Sequence, residues 1–239
     1  HATTPPDLHL HICLMIDNGI YDEEMLKSWE REDVDELASY IKHDRDNMFT
    51  YSGLQQLIDK YLIKNRTTGI IYETPQIAYM CIAMCLFSGY DNKVSRVKEA
   101  YDAYSTFKVN LPTPIMAGVR STIKQFASCV LVDVDDDLDG IFSSVHAVGK
   151  YTARRAGIGL NAGRIRPINS PIRGGEVIHT GLIPYLKIFE SSVKATSQNG
   201  LRGGSATVHI PFWHYEIEDV LVLKNNAGTD DNRVRKLDY

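Results

Sequence analysis

The chain of 239 residues is 44% hydrophobic and 23% charged, with a formal net charge of −4 at pH 7. That length can bury a substantial core in one or two domains, and the composition is ordinary for a soluble globular protein, without the basic excess of a surface that coats nucleic acid. No apolar run approaches the ~20 residues that cross a bilayer, and the polar, proline-bearing start from His1 to Pro6 is unlike a signal peptide.

Pro5-Pro6-Asp7 offers a helix start, and Leu8, Ile12, Met15 and Ile16 follow at helical spacing until Asn18-Gly19 closes the segment. Val34, Leu37 and Ile41 predict a second amphipathic helix over 33–41, and Leu54, Leu57, Ile58, Tyr61 and Leu62 a third over 52–63. Thr74-Pro75-Gln76 places proline in the first turn of an apolar helix that carries Cys81 and Cys85, and 94–107 supplies one more. Residues 1–124 therefore read as a mainly helical domain. After Pro112-Thr113-Pro114 the text changes. Residues 126–134 form a β-branched, apolar run expected to be a strand buried on both faces. Helices are expected over 139–155, 178–196 and 215–223, with a glycine-punctuated stretch over 157–166 and a strand over 206–210. Alternating strand and helix predicts a parallel α/β arrangement over 125–239.

The four cysteines, Cys13, Cys81, Cys85 and Cys129, are too few and scattered for a disulfide scaffold, which points to a reducing, cytoplasmic setting. Cys81 and Cys85 share a helix face, and the core reading outweighs metal ligation because no second pair stands at zinc spacing. His9 and His11 lack a third ligand nearby.

Charge in the second half is uneven. Asp133, Asp135, Asp136, Asp137 and Asp139 crowd one strand end, and no acidic residue follows from Gly140 to Gly175, where Lys150, Arg154, Arg155, Arg164, Arg166 and Arg173 stand among glycines. Close-approaching backbone with guanidinium forks suits phosphate; a solvated basic face beside turns is the alternative, and both stay open. Residues 197–205 add another glycine-rich, arginine-bearing loop. None of these stretches is a P-loop or a dinucleotide fingerprint, and the aspartate run lacks the glycine and closing glutamate of a calcium loop.

Several long blocks in one order are more specific. LPTPIMAGVRS (Leu111 to Ser121), QFASCVLVDVDDDLD (Gln125 to Asp139), RRAGIGLNAGRIRPINSPIRGGEVIHTG (Arg154 to Gly181), SQNGLRGGSAT (Ser197 to Thr207) and FWHYEIEDVLVLKNNAGTDDNRVRKLDY (Phe212 to Tyr239) resemble the large, catalytic subunit of class I ribonucleotide reductases. HDRD (His43 to Asp46) and YLIKNRTTGIIYETPQ (Tyr61 to Gln76) fit the same family, in its bacterial and T4-like-phage, diphosphate-reducing branch. The resemblance implies an N-terminal helical domain followed by the first part of a ten-stranded α/β barrel, with substrate and effector loops in 125–239.

It further implies that Cys129 is one of the redox pair that reduces the ribose, and that Thr113, Ser128, Cys129 and Gly157 line the substrate site, with backbone N–H groups around Gly157 presented to the diphosphate. Asp136, Asp137, Leu138, Arg166 and Arg173 match the specificity-effector site for a deoxynucleoside triphosphate or ATP. Gln198 and Arg202 lie on the loop that links effector to substrate. Helices 139–155 and 178–196 become candidates for contact with a second large subunit. The family's thiyl-forming cysteine and the partner of Cys129 lie beyond Tyr239, and an upstream ATP-cone is absent from the residues in hand. The chain is thus expected to be partial, in one polypeptide or a split gene, and inactive alone. No cofactor is expected in this chain. Its expected partners are the C-terminal remainder, a metal-containing, radical-generating small subunit and a thioredoxin- or glutaredoxin-type reductant, with no nucleic acid and no membrane. A non-catalytic deoxynucleotide-binding regulatory module is the alternative, and a helical scaffold whose glycine–arginine text only makes turns is a third.

Overall fold

A computed structural model describes residues 7–65, 67–197, 204–225 and 233–239, in two compact units, His1–Phe126 and Ala127–Tyr239. The first unit contains α1 (Leu8–Asp17), α2 (Arg31–Tyr40), α3 (Tyr51–Gln56), α4 (Pro75–Phe87), α5 (Lys93–Ser105) and α6 (Thr113–Gly118). Asp7 caps α1, its carboxylate accepting from the Leu10 N–H at 2.9 Å. Thr74 caps α4 in the same way, with Pro75 in the first turn. Apolar on every side but for Gln76, α4 is buried all round, from Pro75 to Met84. Cys81 lies within that run, and burial pushes the Cys85 thiol up to about 12, so both are core thiols held protonated. The third predicted helix is shorter than its apolar spacing suggested. After Gln56 the chain widens into a single π-turn, Leu57–Tyr61, closed by Leu62 N–H to the Leu57 carbonyl at 2.8 Å.

Within this unit a fully buried ion pair joins segments distant in sequence. Arg120 donates through Nε to Glu73 Oε2 at 2.9 Å and makes a second, shorter bond to the other oxygen. Its remaining N–H groups reach the Met116 carbonyl at 2.6 Å and the Tyr61 carbonyl at 3.1 Å. Glu73 also accepts from the Tyr21 hydroxyl at 2.6 Å and the Ile63 N–H at 2.8 Å. The π-turn and α6 are thereby fixed around one guanidinium.

The second unit is built on a parallel sheet, in the order β1 (Cys129–Asp133), β2 (Gly157–Asn161), β5 (Ala206–His209), β6 (Leu237–Asp238). Between these strands run α7 (Leu138–Ala153), α8 (Ile183–Thr196) and α9 (Ile217–Val222). Alternate residues Ile158, Leu160, Ala206, Val208 and Leu237 face one way and are buried in a core with Ile141, Val148, Leu186, Phe189 and Val193. The expectation that 126–134 is a strand buried on both faces is corrected. β1 is shorter, and Cys129, Leu131 and Asp133 are exposed, Leu131 by 82%. Parallel sheets are normally covered on both sides; here the helices pack on one side only among the described residues.

A second correction concerns 178–196. The helix starts at Ile183, with Pro184 in its first turn, because Pro171–Ile172 (β3) and Val177–Ile178 (β4) pair instead as an antiparallel hairpin. Arg173, Gly174 and Gly175 turn it with φ of 50°, 68° and 93°; the last two are values that glycine adopts without steric cost. No described helix is long and apolar enough to cross a membrane.

Candidate functional site

Cys129 opens β1 and lies in register with Gly157 at the start of β2. Ser128, Cys129 and buried Gly157 are thus brought together at one end of the sheet, with the Cys129 thiol free and exposed. One expectation changes. The Gly157 N–H is engaged, donating to the Ser128 carbonyl at 2.8 Å as part of the ladder, so it is not turned toward a diphosphate. What Gly157 supplies is the lack of a side chain opposite the thiol. Thr113 belongs to the first unit, where it begins α6 with its hydroxyl 3.1 Å from that of Tyr61, on a cavity of about 510 Å³ walled by Phe49, Tyr79, Tyr104, Phe107 and Leu111.

At the opposite end of the sheet, register aligns Asp133, Asn161 and His209. Asn161 Nδ2 donates to Asp133 Oδ1 at 2.7 Å. These three, with Leu131, Gly159, Arg164 and Trp213, wall a cavity of about 830 Å³. The carboxyl ends of parallel strands are where α/β sheets collect ligands. Asn161, His209 and Trp213 went unremarked in the sequence, because their common position exists only once the strands are ordered.

Beyond β1 the aspartate run divides its labour. Asp137 caps α7 by accepting from the Gly140 N–H at 2.8 Å, and Asp139 stands in the helix's first turn, where a negative charge suits the dipole. Leu138 is exposed at the helix start. Asp136 accepts from the Arg166 N–H at 2.9 Å and from its Nε at 2.7 Å. Arg166, expected as a phosphate ligand, is thus already held by a carboxylate, and an anion would have to share it. Arg173 sits on the hairpin turn, exposed. No hydrogen bond or ion pair joins it to Asp136, Asp137 or Arg166 among the described residues. Gln198 and Arg202 lie outside the described residues.

The loop bearing Arg166 is anchored from behind by two buried side chains that sequence reading missed. His214 Nε2–H donates to the Ile165 carbonyl at 2.9 Å, while its Nδ1 accepts from the Glu216 N–H at 3.1 Å. The Glu216 carboxylate takes the N–H groups of Ile168 at 3.0 Å and Leu182 at 2.9 Å. Gly181, at φ 93°, leaves room for it: a Cβ there would fall 2.6 Å from a Glu216 oxygen. Among the described residues, no group of three or more His, Cys, Asp or Glu side chains is placed to hold a metal ion.

A helical unit followed by a one-sided parallel sheet that sets a thiol against a glycine agrees with what the chain matches. It belongs to the ribonucleotide reductase large-subunit family: residues 47–123 match the model described as the ribonucleotide reductase all-alpha domain, and 127–239 match the barrel domain. The chain is 52% identical over 237 residues to ribonucleoside-diphosphate reductase 1 subunit alpha of Salmonella typhimurium and 51% identical to that of Escherichia coli, in each case over 98% of this chain and 31% of the relative. It is 49% identical to the alpha subunit of enterobacteria phage T4, over 96% of this chain and 30% of the relative. The chain therefore spans about a third of the length of these curated relatives. Among solved structures, the class Id ribonucleotide reductase alpha subunit of Actinobacillus ureae superposes with a TM-score of 0.60 over 83% of this chain and 32% of its own, at 18% identity, a likeness of fold.

Proposed function

We propose that this chain forms part of the large subunit of a cytoplasmic ribonucleoside-diphosphate reductase, which converts ribonucleoside diphosphates to deoxyribonucleoside diphosphates by radical chemistry. The observation that carries this reading is the free, exposed Cys129 thiol at the head of β1, registered against buried, side-chain-free Gly157 of β2. Sequence identity near one half to three reductase alpha subunits supports it. Residues 1–124 serve as the helical domain and 125–239 as the first portion of the barrel. The remainder of the barrel covers the open face and brings the thiyl-forming cysteine and the second redox cysteine.

In the reaction the substrate's 2′-oxygen leaves as water. Cys129 and its partner supply two electrons and end as a disulfide, which a thioredoxin- or glutaredoxin-type dithiol reduces for the next turnover. The radical comes from a metal-containing small subunit, and two large subunits associate. Ser128 and Gly157 flank the thiol at the substrate; the assignment of Thr113 rests on the resemblance alone. The start of α7, Asp136 to Leu138, with Arg166 and Arg173 holds a deoxynucleoside triphosphate or ATP effector, and Gln198 and Arg202 relay its identity.

The test is made on the full-length subunit with its small subunit and a dithiol reductant. Formation of dCDP from CDP is expected. Effector binding without any reduction would instead favour a non-catalytic regulatory module. In the same preparation, Arg166→Ala and Arg173→Ala are each expected to weaken dTTP binding by about tenfold, the scale of one charge-assisted contact. Equilibrium binding checks this, and unchanged affinity in both variants would remove the two arginines from the effector site.

A further inference from the structure

We propose that Tyr61 is a positioning residue for the substrate: its hydroxyl donates to Thr113 Oγ1 and so directs the Thr113 proton toward an acceptor oxygen of the nucleotide. The inference rests on reading Thr113 as part of the substrate site. The two hydroxyl oxygens lie 3.1 Å apart, and both side chains wall the cavity of about 510 Å³ in the helical unit. Among the described residues, neither hydroxyl has any other hydrogen-bond partner. Thr113 is exposed and Tyr61 partly buried, so of the two it is Thr113 that a ligand can reach.

A threonine hydroxyl has one proton and two lone pairs. A ribonucleoside diphosphate presents mostly acceptor oxygens, so a hydroxyl that binds one of them must give its proton outward. Thr113 can do so and keep its bond to Tyr61 only if the phenol donates. Two hydroxyls donating in the same sense polarise one another, which makes the outer one the stronger donor. The core fixes the spacing this relay needs. Tyr61 ends the π-turn and Thr113 opens α6. Arg120 ties the two elements together, reaching the Tyr61 carbonyl at 3.1 Å and the Met116 carbonyl of α6 at 2.6 Å. Glu73, which holds that guanidinium, also takes the Ile63 N–H, just past Tyr61, at 2.8 Å. π-turns recur at functional sites, and this one delivers a hydroxyl.

The test uses full-length subunits with the small subunit and a dithiol reductant. It follows steady-state CDP reduction in the parent, Tyr61→Phe, Thr113→Val and the double variant. Tyr61→Phe keeps the ring in the cavity wall and removes only the donor. It is expected to raise KM for CDP by about fivefold, the size of one hydrogen bond, with kcat within about twofold, the signature of lost binding and not of lost chemistry. Thr113→Val is expected to raise KM by about tenfold, and the double variant no further than Thr113→Val alone. An unchanged KM in Tyr61→Phe beside a raised one in Thr113→Val overturns the inference and leaves Thr113 at the substrate. Independent, multiplying effects in the double variant also overturn it, because Tyr61 would then act otherwise than through Thr113. So does a raised KM in Tyr61→Phe accompanied by a lowered urea midpoint and an equal fall in kcat, the mark of a packing role. An unchanged KM in Thr113→Val removes Thr113 from the substrate site, and this inference with it.

Discussion

Changing Cys129 to serine in the full-length subunit is expected to lower multi-turnover CDP reduction by on the order of 10³-fold, the scale of removing a covalent participant. A serine hydroxyl keeps the size and hydrogen-bonding of the thiol but cannot be oxidised to a disulfide, so the two electrons that replace the 2′-oxygen have no local source. Cys129 stands at the head of β1, opposite a glycine, and the exchange introduces no new bulk into the sheet. The Asp136–Arg166 pair lies past the other end of the strand, beyond about 13 Å of rise. dTTP affinity should accordingly remain within about twofold, which separates lost chemistry from lost fold. Undiminished multi-turnover reduction with a dithiol reductant would refute the redox role.

The largest effect on stability is expected at Arg120. Both side chains of the Arg120–Glu73 pair are fully buried, and Glu73 serves the Tyr21 hydroxyl and the Ile63 N–H as well. Arg120→Ala strands a carboxylate in the core and leaves the Met116 and Tyr61 carbonyls without their donors. A loss of about 3–5 kcal/mol is expected, as for other buried pairs broken on one side. Urea unfolding measures it, and the double variant Glu73→Leu/Arg120→Met is the control. Removing both charges should cost clearly less than the two single changes added together. Equal or additive losses would mean that the site acts through packing volume and not through paired charge.

Much of the helical half is legible in the sequence. Helix periodicity, the Thr74-Pro75 start and the wholly apolar text of α4 are signals carried by residues three or four apart, and the structure places α1, α2, α4 and α5 on them. The strand–helix alternation after Pro114 is legible for the same reason. The reading of 178–196 as one helix erred where local signals compete. Ile172, Val177 and Ile178 are β-formers, and the Arg173-Gly174-Gly175 turn lets them pair before the helix begins. Asp136 and Asp137 stand side by side in the aspartate run, but their different tasks, one gripping Arg166 and one capping α7, depend on geometry that composition does not carry.

The sequence alone determined the family and the helical and α/β halves, because long blocks in a fixed order and short-range periodicity need no knowledge of contacts. Only the tertiary structure decided that Gly157 spends its N–H on Ser128, that Asp136 occupies Arg166, that Asp133, Asn161 and His209 meet, and that one face of the sheet lies open. Each of these depends on partners between 28 and 30 residues apart or on strand order and register. A parallel sheet brings such residues together through its crossovers, and no pattern along the chain records which carboxylate a given guanidinium will meet.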